Sequence, residues 1–168
     1  MIRDNYSTDQ ILSAEKLLEI INPSADLAHQ QIVQFREALL SEVDDDGDDS
    51  NLLWVVKDVV DWESGYFVDW KDTESFVHCV MKLADRWGVT LTFGSENPLA
   101  DDFLSRTTVP DLMNQAHSEL LPKGLVLWNW DTEGDCYCGW ITKSISASAV
   151  AAISATLGIE VRSGDRPF

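Results

Sequence analysis

The 168-residue sequence predicts an α+β fold, with a mixed sheet of about five strands, helices packed on it and an N-terminal helical hairpin ahead of it. Three observations predict it. Apolar residues recur at helical spacing up to residue 42, the period changes to strand alternation at 66–70, and apolar runs at 125–130 and 136–142 flank a glycine-containing turn. The length suits one domain spanning 1–168, made of a hairpin over 1–42, an acidic linker over 43–51, an α+β core over 52–163 and a tail over 164–168.

The elements follow in order. Ser7-Thr8-Asp9-Gln10 has the form of a capping box, and Ile11, Leu12, Leu17, Leu18 and Ile21 continue as a helical stripe until Asn22-Pro23 stops it. Ser24 is placed to cap a second helix carrying Leu27, Ile32, Phe35, Leu39 and Leu40. Val43 to Asn51 holds five aspartates and little to bury, so it reads as an exposed linker. Leu52, Val55, Val56, Val59 and Val60 fit a helical face, although four valines leave a strand open there.

Tyr66, Val68 and Trp70 then alternate with Phe67 and Asp69, a half-buried strand. A helix capped near Asp72 or Thr73 runs to Gly88, and Val89 to Phe93 completes a strand-helix-strand unit open to a parallel, right-handed crossover. Gly94 to Thr108 is long for a connection and reads as a mobile or binding loop. Pro110 starts a helix reaching Leu121. The hairpin at 125–142 is expected to turn through a type I turn with a G1 bulge at Gly134, placing Trp130 opposite Cys136, Trp128 opposite Cys138 and Val126 opposite Trp140 on one apolar face. An alanine-rich helix over 146–157, a fifth strand over 159–162 and a frayed tail from Gly164 complete the chain.

Composition narrows the function classes. With 45% hydrophobic residues and seven tryptophans, the chain has enough apolar area to fold. No secretion signal or long apolar run is read from the sequence, and three cysteines are too few for a disulfide framework, so the expectation is cytoplasmic. The formal charge is −17, with 13 acids against 4 bases in residues 1–60, 11 against 4 in 61–120 and 5 against 4 in 121–168. A field of that sign argues against nucleic acid and anionic membrane as partners and favours a basic protein, while solubility alone would also account for it. Oligomeric state has no signature in the sequence.

Candidate chemistry is sparse. Glu42, Asp44, Asp46 and Gly47 resemble the start of a calcium loop, but Asp49 and Leu53 stand where an apolar residue and the closing bidentate acid belong. Cys136-x-Cys138 with His78 or Cys79 would be a meagre zinc set, and buried core thiols are the favoured reading. His29, His78 and His117 have no nucleophile motif beside them, and no phosphate-binding glycine loop or dinucleotide fingerprint is present. No cofactor is expected, and the reading leans away from an enzyme.

The richest stretch runs from Asp58 to Glu74. Asp58, Asp61, Glu63, Asp69, Asp72 and Glu74 surround aromatics such as Trp62, an arrangement suited to a lysine- or arginine-rich surface. The same carboxylates would suit a divalent cation, and the plain alternative is that Asp72 caps a helix while Trp62 and Trp70 are core. Asp101 and Asp102 extend the candidate surface through the 94–108 loop.

Asp61-Trp62-Glu63-Ser64-Gly65-Tyr66-Phe67-Val68-Asp69-Trp70-Lys71-Asp72-Thr73-Glu74-Ser75-Phe76, Leu127-Trp128-Asn129-Trp130-Asp131-Thr132 and Gly134-Asp135 through Gly139-Trp140 resemble a bacterial family of uncharacterised single-domain proteins, over about residues 52–163. The resemblance implies a bacterial origin and a recurrent unit, and supplies no activity, cofactor or site. In size, acidity and tryptophan content the chain is also similar to immunity proteins that neutralise toxins. The expected function is therefore a non-enzymatic, immunity- or inhibitor-like module that binds a basic partner through Asp58, Asp61, Trp62, Glu63, Asp69, Asp72, Glu74, Asp101 and Asp102. The alternative is a hydrolase or other enzyme with a divalent cation held by the carboxylates of 58–74.

Overall fold

Short-range side-chain chemistry delimits the helices. Ser7 Oγ accepts from Gln10 N while the Gln10 side chain accepts from Ser7 N, which closes a capping box on α1 (Thr8–Ile20). Ser24 caps α2 (Ala25–Leu40), Asn51 caps α3 (Leu52–Val60), and Asp72 caps α4 (Thr73–Arg86). Thr108 and Asp111 form a second capping box on α6 (Val109–Leu120), with Pro110 in its first turn where a missing N–H costs nothing. α5 (Asp101–Leu104) is a single turn, and α7 (Ala147–Leu157) ends at Gly158 in the left-handed region. The computed structural model describes residues 6–41 and 51–168. The acidic linker expected over 43–51, and the calcium-like run beginning at Glu42, lie outside the described residues apart from Asn51.

Four antiparallel strands form the sheet, in the order β1-β3-β2-β4: β1 is Tyr66–Asp69, β2 Leu125–Trp130, β3 Cys136–Lys143 and β4 Val161–Ser163. Period-two alternation sends each strand's residues to two different cores. Tyr66, Val68, Leu125, Leu127 and Ile141 point to one face and pack with Phe76, Val77 and Val80 of α4 and Leu112, Met113 and Ala116 of α6. Trp130, Cys138 and Trp140 point to the other, where α1, α2, α3 and α7 contribute Leu17, Leu18, Phe35, Val56 and Ile153. The sheet is thus the middle of three layers. Burying each of Phe35, Phe76, Trp130 and Trp140, all at most 1% exposed, stabilises the fold by roughly 2–3 kcal/mol.

The α+β class and the N-terminal helical pair are as expected, with four strands against the expected five or so. The difference lies at 89–93. Leu91 and Phe93 are buried and Thr90 and Thr92 exposed, as strand alternation requires, yet no strand pairs with them. The Glu119 carboxylate on α6 accepts from Thr92 N at 2.8 Å and Gly94 N at 3.1 Å, so a side chain satisfies donors that a ladder would have taken. The expected parallel crossover is accordingly not formed, and every ladder is antiparallel.

The β2–β3 register differs from expectation by two residues. Trp128 faces Trp140 rather than Cys138, and Val126 faces Thr142 rather than Trp140. A two-residue shift leaves every side chain on its expected face, so apolar patterning does not distinguish these registers. In the turn, Glu133 rather than Gly134 takes the positive φ of 55°, with Asp131 Oδ1 accepting from Glu133 N at 2.9 Å. The tail packs instead of fraying: Gly164 N donates to Leu127 O at 2.8 Å, Phe168 N to Asn129 Oδ1 at 3.3 Å, and Arg162 lies 4.0 Å from the Phe168 ring centroid.

Candidate functional site

The expected surface at 58–74 is divided by β1 into two groups. At a rise of about 3.3 Å per residue, four residues of strand put roughly 10–13 Å between them. Beyond the end of the strand, Trp70 is 50% exposed, and its N–H donates to Asp135 O at 3.1 Å, which draws in the acidic β2–β3 turn. Asp69 is exposed and its Oδ1 accepts from Lys71 N at 3.0 Å, while Glu74 is exposed in the first turn of α4. Asp72 faces inward to its capping role, accepting from Ser75 N at 2.9 Å. Lys71 Nζ stands 4.8 Å from the Trp70 ring centroid, so this ring already carries an ammonium over its face.

The second group surrounds Trp62, 44% exposed and at a φ of 62°, a conformation strained for a bulky side chain. Glu63 N and Ser64 N both donate to Val60 O, folding the 61–65 turn back on the end of α3. Asp58 is exposed and paired with Lys57 at 2.6 Å, and Trp62 O accepts from Lys82 Nζ at 3.3 Å. Asp61 is half-buried with Oδ1 unpartnered, and burial chiefly, with Asp58 adding to it, holds its carboxyl above the ordinary range against Lys57. Glu63 is exposed, but its carbonyl accepts from Arg86 Nη1. Three bases around the Trp62 turn leave that end mixed in charge, whereas the Trp70 end is dominated by acids.

The turn is anchored by a buried polar ring. Asn22 Nδ2 donates to Gln31 Oε1 at 2.7 Å, Gln31 Nε2 to Ser64 Oγ at 2.8 Å, and Ser64 Oγ to Asn22 Oδ1 at 2.6 Å. Arg86 reaches from α4 to the same ring, with Nη1 on Ser64 Oγ at 3.0 Å and Nη2 on Asn22 Oδ1 at 2.9 Å. Every member comes from a different element, which is why no local motif announced it.

Asp101 and Asp102 are exposed on α5, and Asp102 pairs with Arg106 at 3.3 Å. No hydrogen bond or ion pair among the described residues joins them to either tryptophan group. Their loop is packed through Leu99, Phe103 and Leu104 against the α4–α6 core. Trp70 and Asp135 are the residues sequence reasoning left out. Trp70 is in phase with buried Tyr66 and Val68, but the strand ends at Asp69 and the phase does not carry past it.

Cys138 is buried in the same core as Trp130 and Trp140, and Cys79 donates to Gly65 O at 3.5 Å. Burial pushes the Cys79 thiol up to about 12 and raises that of Cys138 further. At pH 8 a thiol at 12 is about one part in ten thousand thiolate. A thiol reagent such as Ellman's is therefore expected to label half-exposed Cys136 alone in the native protein, and all three cysteines in denaturant; fast native labelling of Cys79 or Cys138 would contradict this burial. Among the described residues, no three His, Cys, Asp or Glu side chains are gathered as metal ligands. Nor is any helix among them long and apolar enough to cross a membrane.

Comparison with known proteins yields one likeness: residues 13–164 match a family whose description is "Domain of unknown function (DUF6630)". No curated protein and no solved structure matches the chain.

Proposed function

The chain belongs to the DUF6630 family, a domain of unknown function, and from that premise we propose that it is a non-enzymatic module whose Trp70 surface binds a basic protein. The observation that carries the reading is a half-exposed indole at the end of β1, next in sequence to exposed Asp69, close to exposed Glu74 and joined through its backbone to exposed Asp135, with Lys71 over its ring. An arginine or lysine of a partner would replace Lys71 on Trp70 and meet the surrounding carboxylates, with the chain's −17 charge steering the encounter. Asp58, Asp61, Trp62 and Glu63 form a secondary contact at the other end of β1, and Asp72 supports the surface by capping α4. Asp101 and Asp102 add to the long-range field. An immunity- or inhibitor-like role is the form of this reading in which the partner is a basic toxin or enzyme.

The alternative, an enzyme with a divalent cation on the carboxylates of 58–74, lacks a geometric basis. β1 separates those carboxylates, and among the described residues no three potential ligands converge.

The test is retention of basic proteins on the immobilised chain at low and moderate salt. Trp70→Ala is expected to weaken retention about tenfold, a typical loss for an aromatic anchor, and Asp69→Asn with Glu74→Gln to reduce it mainly at low salt. Retention of no basic protein at either salt, or equal retention by Trp70→Ala, would overturn the proposal.

A further inference from the structure

On this acidic molecule one cavity is lined by cations. About 400 Å³ opens between the end of α1, the end of α4 and the segment leading into α7, lined by Glu19, Asn22, Arg86, Trp87, Lys143 and Ser146. A second cavity of about 280 Å³ shares Trp87 and Lys143 and adds Lys123 and the exposed Ile145. Together they present three bases and one acid, and that acid, Glu19, is engaged by Lys16 at 2.8 Å. Among the described residues none of Arg86, Lys123 and Lys143 forms an ion pair, whereas five other bases do.

Arg86 is the most constrained of the three. Its contacts to Glu63 O, Ser64 Oγ and Asn22 Oδ1 fix the guanidinium plane, and leave Nε–H and one Nη2 hydrogen without an acceptor among the described residues. Burial lowers the Arg86 pKa, only partly opposed by the nearby Glu63 carboxylate, and its hydrogen bonds all go to neutral acceptors, so an anion joining the guanidinium would offset that desolvation. Lys143 supplies a second, exposed cation. Ser146 precedes α7 without capping it, so the positive end of that helix dipole adds to the same field. Trp87 offers a half-buried ring between the two cavities.

We infer that the Arg86–Lys143–Trp87 cavity binds a small oxyanion-bearing molecule, its phosphate or carboxylate held by Arg86 and Lys143 and its remainder lying along Trp87. A volume of this size suits a small metabolite, and planar guanidinium with ammonium is the pairing that grips such groups. The site is separate from the Trp70 surface and opposite to it in charge, so either can stand without the other.

Calorimetric titration with inorganic phosphate, a nucleoside monophosphate and succinate, against a chloride control of equal ionic strength, tests the inference and separates its possible sources. At least one of the three is expected to bind saturably, tightest for the nucleoside monophosphate if stacking on Trp87 contributes. Lys143→Gln, an exposed change outside the buried ring, is expected to weaken binding about tenfold, with Lys143→Arg restoring most of it. Arg86→Met is expected to abolish binding; should it fail to fold, the Lys143 pair decides. Absence of saturable binding by all three probes, or binding unchanged in Lys143→Gln, would overturn the inference.

Discussion

Gly139→Ala is expected to destabilise the protein by about 3 kcal/mol or more, at the upper end of what overpacking costs. Gly139 sits in the centre of the sheet, opposite Tyr66 on β1 and Asn129 on β2. A Cβ there would stand 1.8 Å from Trp128 O, 2.7 Å from Trp128 C and 2.8 Å from the Tyr66 hydroxyl. Two of those atoms are backbone, so no rotamer change relieves the clash; β2 and β3 must separate. The same glycine gives the Tyr66 hydroxyl its passage to Trp128 O, to which it donates at 2.8 Å, so the substitution also removes that bond. Against a total stability of about 5–15 kcal/mol for a typical domain, the loss would be visible as a large fall in the denaturation midpoint. Gly134→Ala is the control, since its nearest atom would be Thr132 O at 3.8 Å and its effect is expected within about 0.5 kcal/mol. Equal midpoints for Gly139→Ala and the wild type would refute the close approach of the strands.

The second large effect is expected at the Asn22–Gln31–Ser64 ring. Gln31 is fully buried and both ends of its amide are used, so Gln31→Met keeps the volume but strands Asn22 Nδ2 and Ser64 Oγ with one partner fewer each. Leaving buried polar groups short of partners is expected to cost about 2–3 kcal/mol. Ser64→Ala removes the shared acceptor of Gln31 and Arg86 and the donor to Asn22 Oδ1, for a similar loss. Because both substitutions break one ring, the double variant is expected to lose less than the sum, by about 1 kcal/mol or more. Urea unfolding of the four proteins measures this directly. Strict additivity would mean that the three side chains do not act as a unit, and that Arg86 is positioned by something else.

The candidate surface was legible only in part. Asp72 could be placed as a cap from its position before Thr73-Glu74-Ser75, because a cap is made with backbone three residues away. Asp58, Asp61, Trp62 and Glu63 are neighbours in sequence and could be marked as a group, yet their separation from Asp69 and Glu74 depends on where β1 lies. Trp70 was hidden by the strand phase, and Asp135 by its distance in sequence. Arg86 and Lys143, 57 positions apart, had no common signal at all.

What the sequence by itself determined is what neighbours within a few residues decide: the helix starts at Ser7, Ser24, Asp72 and Thr108, the stop at Gly158, and the face to which each strand residue points. Those depend on side chains reaching nearby backbone and on the two periods of the chain. Only the tertiary structure decided that 89–93 is met by Glu119 instead of a strand, that β2 and β3 pair two residues off the simplest turn, that the tail is tied to Asn129, and that Trp70 is exposed while Trp130 is sealed. Each of these is settled by a partner far along the chain, through close packing at Gly139 or a polar group in need of a bond, and an apolar pattern is unchanged whichever partner arrives.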